Sequence, residues 1–431
     1  MLKNTLQNII ADQQLILGKA LVNLHPRDVD LQYHLRSNEI SVVTGVRRCG
    51  KSSLLKLVAS ESLKDRSVLY CNFDDPRLAG FLSSDFESLY LGWQELLASR
   101  PKGVLICFDE IQNISAWERW AVHFAQLENH KVFVTGSNAK MLSSELATHL
   151  TGRHVVINLM PFSFKEIVQF ETQALEPLSK ATTEHNLALR RLLEKYKKFG
   201  GFPKVYLEED LSLLSQYFRD IILNDIALRK NVRNEKLLLE LGNTIMTQNA
   251  NLTNKSKVAK DLGIRERETV VNYFHYFEET FLAFEIRQYA YSLRRQQRSL
   301  AKFYSVDPAL ARHCGFQFSE DRGALLEHLV FLELRRRGYQ VYYWKSAEGY
   351  EVDFVVKQGN NIEISIQVCS QPSSYDTVGR EVRALLKAKE EIKSRRLLLI
   401  SEDPISLDPL RMESLDTSGI EVLSFIDWAL E

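Results

Sequence analysis

Cysteine is scarce in this 431-residue chain: Cys49, Cys71, Cys107, Cys314 and Cys369 are scattered, with no C-x-x-C pair. That excludes a disulfide framework and a cysteine metal knuckle, and a reducing, cytoplasmic setting is expected. Long apolar runs are also missing; nothing approaches the roughly 18 residues of a membrane span. The N-terminus, MLKNTLQNIIADQQLILG, sets acidic and amide residues inside its apolar pattern and has no small-residue cleavage site, so it does not read as a signal peptide. An excess of either charge is absent, with 55 basic and 55 acidic residues. Any argument for nucleic acid must therefore come from local patches. Repeats and low-complexity tracts are absent as well. What remains is ordinary globular composition, 45% hydrophobic and 26% charged, which excludes disorder. At about 150 residues per domain, the length predicts two to three units.

Periodicity places the elements. Leu6, Ile9, Ile10, Leu15, Ile16 and Leu17 recur at helical spacing, predicting a leading helix over 4–22. A β-branched run, Ile40–Thr44, enters a Gly-bearing loop and then a helical pattern. Short strands are expected at Ser67–Phe73, Val104–Phe108, Lys131–Thr135 and Val155–Leu159, with helices over 85–99 and 115–128. Strands alternating with helices predict an α/β fold with a parallel sheet covered on both faces. After Pro161 the pattern turns helical over 163–230, interrupted by Gly200-Gly201-Phe202-Pro203. Short helices follow over 236–285. Among them Ser256–Leu262, Gly263 and Glu266–Phe277 have helix-turn-helix form, with a strand pair near 283–291 and 301–306. The last stretch predicts a helix at 323–337, strands at Val341–Trp344, Val352–Lys357 and Ile362–Val368, a helix at 378–394 and a strand at Arg396–Ile400.

Gly45-Val46-Arg47-Arg48-Cys49-Gly50-Lys51-Ser52 fits G-x-x-x-x-G-K-[ST] between an apolar strand and a helix, with Ser53 following. Successive N–H groups and the helix N-terminus make an anion nest for phosphate. Lys51 is expected to reach the β- and γ-oxygens of ATP, and Ser52 to ligate Mg²⁺. The apolar strand Val104–Phe108 ends in two carboxylates: Asp109 to orient Mg²⁺ and Glu110 to polarise the attacking water. A third strand ends in Thr135-Gly136-Ser137-Asn138, where Asn138 or Ser137 is placed to bond the γ-phosphate or the water.

These segments, with Leu150-Thr151-Gly152-Arg153, Leu159–Ile167 and Gly200–Pro203, resemble the AAA+ P-loop ATPases of the archaeal-ATPase group, near the signal-transduction ATPases, over about residues 30–205. The resemblance implies that Arg153 is a γ-phosphate sensor or an arginine finger acting on a neighbouring subunit. A surface Arg tethering the next strand is the alternative. Arg47 and Arg48 could face phosphate, a partner subunit or DNA.

In the middle segment, Val258, Leu262, Ile264, Val270, Tyr273, Phe274 and Phe277 are expected to form a small core, leaving Thr269, Asn272 and His275 outward. The acid-free stretch Ile286–Phe303 carries Arg287, Arg294, Arg295, Arg298 and Lys302. A basic wing beside a helix-turn-helix suits DNA phosphates, although winged helices also bind proteins. The end segment resembles the PD-(D/E)-x-K nuclease core commonly fused behind these ATPases. That implies Glu327, Asp353 and Gln367 as metal ligands, with Cys369 at the lysine position. A thiol supplies no fixed positive charge. The degenerate reading is therefore favoured over a cation relocated to Arg380, Arg383 or Lys387.

The expected architecture is an ATPase core at 1–170, a helical lid at 171–235, a winged-helix-like domain at 236–310 and a nuclease-like α/β domain at 311–431. The expected function is an ATP- and Mg²⁺-dependent ATPase driving a DNA-engaging effector, with homo-oligomer formation as a further possibility. A nucleotide-latched switch binding protein partners and an ATP-licensed Mg²⁺-dependent DNase are the alternatives.

Overall fold

The computed structural model describes every residue except 21–23, 98–102, 137–149, 151, 173–182, 317–321, 371–374, 404–405 and 408–415. Two compact units divide the chain. One comprises Met1–Pro161 with Glu279–Phe281, the other Phe162–Glu278 with Leu282–Glu431. Among the described residues no helix is long and apolar enough to cross a membrane.

The first unit is built on β1 (Ile40–Thr44), β2 (Ser67–Asn72), β3 (Val104–Asp109), β4 (His130–Gly136) and β5 (His154–Asn158). They form a wholly parallel sheet in the order β2-β3-β4-β1-β5. The central strands are apolar without alternation because both of their faces are covered. Helix Lys51–Ser62 buries Leu54, Leu55, Val58 and Ala59. The leading helix Lys3–Ala20 buries Leu6, Ile9, Ile10 and Leu17. It also caps the edge strand: Gln13 donates to the Asn72 carbonyl and accepts from the Asn72 N–H. That occupies backbone groups which an open sheet edge would leave unpaired.

The second unit starts helical, through Phe164–Thr172, Thr183–Phe199, Pro203–Glu208 and Ser212–Asp220, then a π-helical turn, Ile221–Leu228, and Glu235–Thr247. Helices Lys255–Asp261 and Arg267–Glu279 follow, joined around Gly263 at φ +66°. A three-stranded sheet flanks these two helices in sequence, formed by β6 (Leu252–Thr253) before them and β7 (Ala283–Arg287) and β8 (Ala301–Ser305) after them, in the order β6-β8-β7. A helix, Arg322–Arg336, leads into β9 (Gln340–Lys345), β10 (Glu351–Gln358) and β11 (Asn361–Cys369), then β12 (Arg396–Ser401) and β13 (Ile420–Ser424). These five form one mixed sheet, antiparallel through β9, β10 and β11 and parallel from β11 to β13. Helix Tyr375–Ile392 packs on it. The last strand and the closing helix Phe425–Leu430 have no counterpart in the sequence expectation.

The Gly200-Gly201 pair has a packing reason. Gly200 sits at φ +70°, and a Cβ there would stand 2.2 Å from Asp307 Oδ1; one on Gly201 would stand 2.3 Å from the Phe162 carbonyl oxygen. Gly200 makes room for the buried Asp307 and Gly201 for the Phe162 backbone; Asp307 accepts from the Gly201 N–H at 2.6 Å and the Leu310 N–H at 2.9 Å. Burial pushes the Asp307 carboxyl up to about 6, against the pull of those donors. Gly200→Ala is expected to cost about 2–4 kcal/mol, from left-handed strain plus overpacking. A lower urea midpoint checks this; an unchanged midpoint would contradict the close approach.

Candidate active site

The loop after β1 is held by its backbone. Gly45 lies against β5's exit, where a Cβ would meet the Leu159 carbonyl oxygen at 1.9 Å. Gly50, at φ +104°, starts helix Lys51–Ser62 from the left-handed region, which glycine adopts without penalty. Val46 and Cys49 are buried, and burial pushes the Cys49 thiol up, so these side chains anchor the loop. Arg47 is half-buried; Arg48 and Ser53 are exposed. The buried Lys51 ammonium donates to the Gly45 and Val46 carbonyls, each at 3.1 Å. Arg27 braces the loop from outside the motif, donating to the Cys49 carbonyl at 3.0 Å and the Met160 carbonyl at 2.6 Å.

Asp109 is the hub of the site. Its Oδ1 accepts from Ser52 Oγ at 3.1 Å and Thr135 Oγ1 at 2.5 Å, and its Oδ2 from the Tyr70 hydroxyl at 3.0 Å. Burial and the Asp109 charge both hold the Tyr70 phenol protonated, as a donor. Thr135 also accepts from the Glu110 N–H at 2.9 Å. That bond pins Glu110 in the left-handed region, at φ +53°, a conformation that costs on the order of 1 kcal/mol or more and that surrounding structure must enforce. Burial raises the Glu110 carboxyl above its usual range, against the pull of the Lys51 charge; Gln112 Nε2 donates to its Oε2. Ser52 and Asp109 thus present hard oxygen donors together, a donor set that fits Mg²⁺.

Sequence reasoning located the loop, Asp109 and Glu110, but not Arg27, Tyr70 or the role of Thr135. Tyr70 reads as an ordinary core aromatic within a strand, and Arg27 belongs to no motif. Thr135 stood in the segment that was singled out, where attention fell on Ser137 and Asn138; both of those lie outside the described residues. Arg153 is exposed and precedes β5. Its carbonyl accepts from the Ile40 N–H, and Ile40 pairs with His154, whereas Thr44, beside the loop, pairs with Asn158. Arg153 therefore stands at the N-terminal end of these two neighbouring parallel strands, and the phosphate loop at their C-terminal end. Five residues of strand separate the two ends, roughly 15 Å at about 3.3 Å per residue. That span is longer than an arginine side chain.

In the second unit, Asn272 and His275 are exposed and Thr269 half-buried, over buried Val270, Tyr273, Phe274 and Phe277; Leu262 and Ile264 are half-buried. Between β7 and β8 lies a helix, Leu293–Arg298, on which Arg294, Arg295 and Arg298 are exposed. Lys302 overturns the expectation of a surface cation. It is buried, with its ammonium 3.1 Å from Glu327 Oε1, 3.1 Å from Glu351 Oε1 and 3.6 Å from Asp353 Oδ1. The structure does bring together Asp353 and Gln367. Gln367 Oε1 accepts from the Asp353 N–H at 3.3 Å, and Gln367 Nε2 donates to Glu381. Cys369 lies in a hydrophobic cluster with Val352 and Val382. Among the described residues no group of three or more His, Cys, Asp or Glu is arranged to hold a metal ion.

Residues 37–168 match the family model of an AAA domain, and residues 190–321 and 322–413 match two domains of unknown function, DUF8612 and DUF4143. The chain is 30% identical to Uncharacterized protein MJ1544 of Methanocaldococcus jannaschii, over 98% of this chain and 95% of that protein. It is also 30% identical to an uncharacterized protein of Haemophilus influenzae, over 91% of this chain and 94% of that one. Among solved structures, AMPPCP-bound DnaA from Aquifex aeolicus is 16% identical, covering 60% of this chain and 90% of that chain at a TM-score of 0.28. The Aeropyrum pernix Orc1 protein in complex with DNA is 11% identical, covering 71% and 91% at a TM-score of 0.29. Likenesses at those scores carry no argument about chemistry.

Proposed function

The chain belongs to the same family as these archaeal and bacterial relatives, with an AAA domain at residues 37–168, and from that premise we infer that it binds ATP with Mg²⁺ at Gly45–Ser53 and hydrolyses it. The observation that carries this reading is the convergence of Ser52, Thr135 and Tyr70 on Asp109, with Glu110 held beside them by Thr135. The loop's N–H groups and the helix N-terminus receive phosphate. Lys51 exchanges the carbonyls of Gly45 and Val46 for phosphate oxygens. Ser52 and Asp109 are the residues that would hold Mg²⁺, which when bound neutralises charge on the β- and γ-oxygens. Glu110 takes the proton of the attacking water. Arg153 serves a neighbouring copy's nucleotide, which makes the active form an oligomer. Titration with a fluorescent ATP analogue tests the site: binding is expected in the wild type, loss in Lys51→Ala, and loss of Mg²⁺ dependence in Ser52→Ala. Equal binding by Lys51→Ala would refute it.

Nucleotide state is read out by the second unit, and the exposed Arg294, Arg295 and Arg298 favour DNA as its partner. Replacing all three by Ala is expected to weaken DNA binding alike for all sequences. It is also expected to flatten log K against log[salt] by about 2.7, at about 0.9 per phosphate contact. An unchanged slope assigns this surface to a protein partner.

A further inference from the structure

The resemblance of the end segment to a metal-dependent nuclease implies a divalent ion at Glu327, Asp353 and Gln367. The residues present do not fit one. The Lys302 ammonium stands among Glu327, Glu351 and Asp353 at 3.1, 3.1 and 3.6 Å. These are ammonium distances, against the ~2.1 Å of a Mg²⁺–oxygen bond. An ammonium has three protons, and here three carboxylates face them.

Further hydrogen bonds hold these groups in place. Glu327 Oε1 also accepts from the Tyr304 hydroxyl at 2.6 Å, and Asp353 Oδ2 from the Val368 N–H at 3.0 Å. Gln367 turns its carbonyl oxygen to the Asp353 N–H and its amide to Glu381, which Arg380 in turn contacts. Lys345 adds a second cation at Glu351, at 3.5 Å.

We propose that Lys302 is a tethered cation standing in place of the divalent ion: carried by β8, it closes the carboxylate cleft of the β9–β13 sheet to metal. Two consequences follow. The end domain is silent as a metal-dependent nuclease, because the metal position is filled by the chain itself. The ammonium also ties β8 to the end sheet, since withdrawing it leaves three carboxylates facing one another in a largely buried cleft, at a high cost. Lys302 does not serve as a free transition-state cation, because three carboxylates surround its ammonium.

The test uses full-length, nucleotide-free protein and Mn²⁺ as the probe, with binding followed by calorimetry and by paramagnetic resonance of free Mn²⁺. Wild type and Asp353→Asn are expected to bind Mn²⁺ identically. Lys302→Met is expected to gain one Mn²⁺ per chain, lost again in Lys302→Met with Asp353→Asn. Its melting temperature should fall in chelator and recover in Mn²⁺. Lys302→Met combined with Glu351→Gln returns the cluster to its original net charge and guards against failure of the single variant to fold; it is expected to gain the same Mn²⁺. A wild-type Mn²⁺ site that Asp353→Asn removes would overturn the proposal. So would folded Lys302 variants that gain no Mn²⁺, or variants that stay unfolded in Mn²⁺, since the metal would then be no substitute for the ammonium.

Discussion

Glu110→Gln is expected to keep ATP bound while slowing its hydrolysis by about 10²-fold or more, the usual scale of a lost general base. The substitution preserves shape and leaves the Thr135 bond to the Glu110 N–H intact, so the site should assemble around nucleotide as before. The wild-type pH profile adds a second check. Burial raises the Glu110 carboxyl above its usual range, and the base works only when ionised. Turnover should therefore fall as pH drops through that raised value, at a higher pH than for an ordinary glutamate. The residual rate of Glu110→Gln should lack that limb. Phosphate release across pH measures both, and wild-type turnover in Glu110→Gln would remove Glu110 from the mechanism.

Arg153→Ala is expected to lower the rate by on the order of 10³-fold, the scale of a missing arginine finger. The register of β1 against β5 puts this residue at the strand end remote from its own phosphate loop, so the effect is expected to cross a subunit boundary. Mixing Arg153→Ala with Lys51→Ala protein pairs an intact phosphate loop from one with an intact Arg153 from the other. Activity should reappear in the mixture although each variant alone is inactive. Full activity of Arg153→Ala would make it a surface tether, and failure of the mixture to recover would refute action between copies.

The candidate site was legible because its signals are local. A glycine pattern between a strand and a helix, and two carboxylates ending an apolar strand, carry their meaning within a few residues. The all-buried strands of the first sheet were legible for the same reason, as runs without alternation. What escaped depends on contacts remote in sequence. Arg27 reaches Cys49 and Met160, and Gly200 answers to Asp307 more than 100 residues away. Lys302 is the plainest case. In sequence it belongs to an acid-free stretch and reads as a surface cation, yet its counter-charges come from Glu327, Glu351 and Asp353 on other elements. Strand β8 carries it inward, and nothing local to it reports the burial. The strand Ile420–Ser424 and helix Phe425–Leu430 are too short for a periodic signal.

Turnover of ATP at Gly45–Ser52 is the claim on which the rest depends. Phosphate release by wild type and Lys51→Ala, purified side by side and assayed with ATP and Mg²⁺, tests it most directly. Repeated turnover by the wild type and none above buffer by Lys51→Ala is the predicted result; equal release by the two proteins would contradict it.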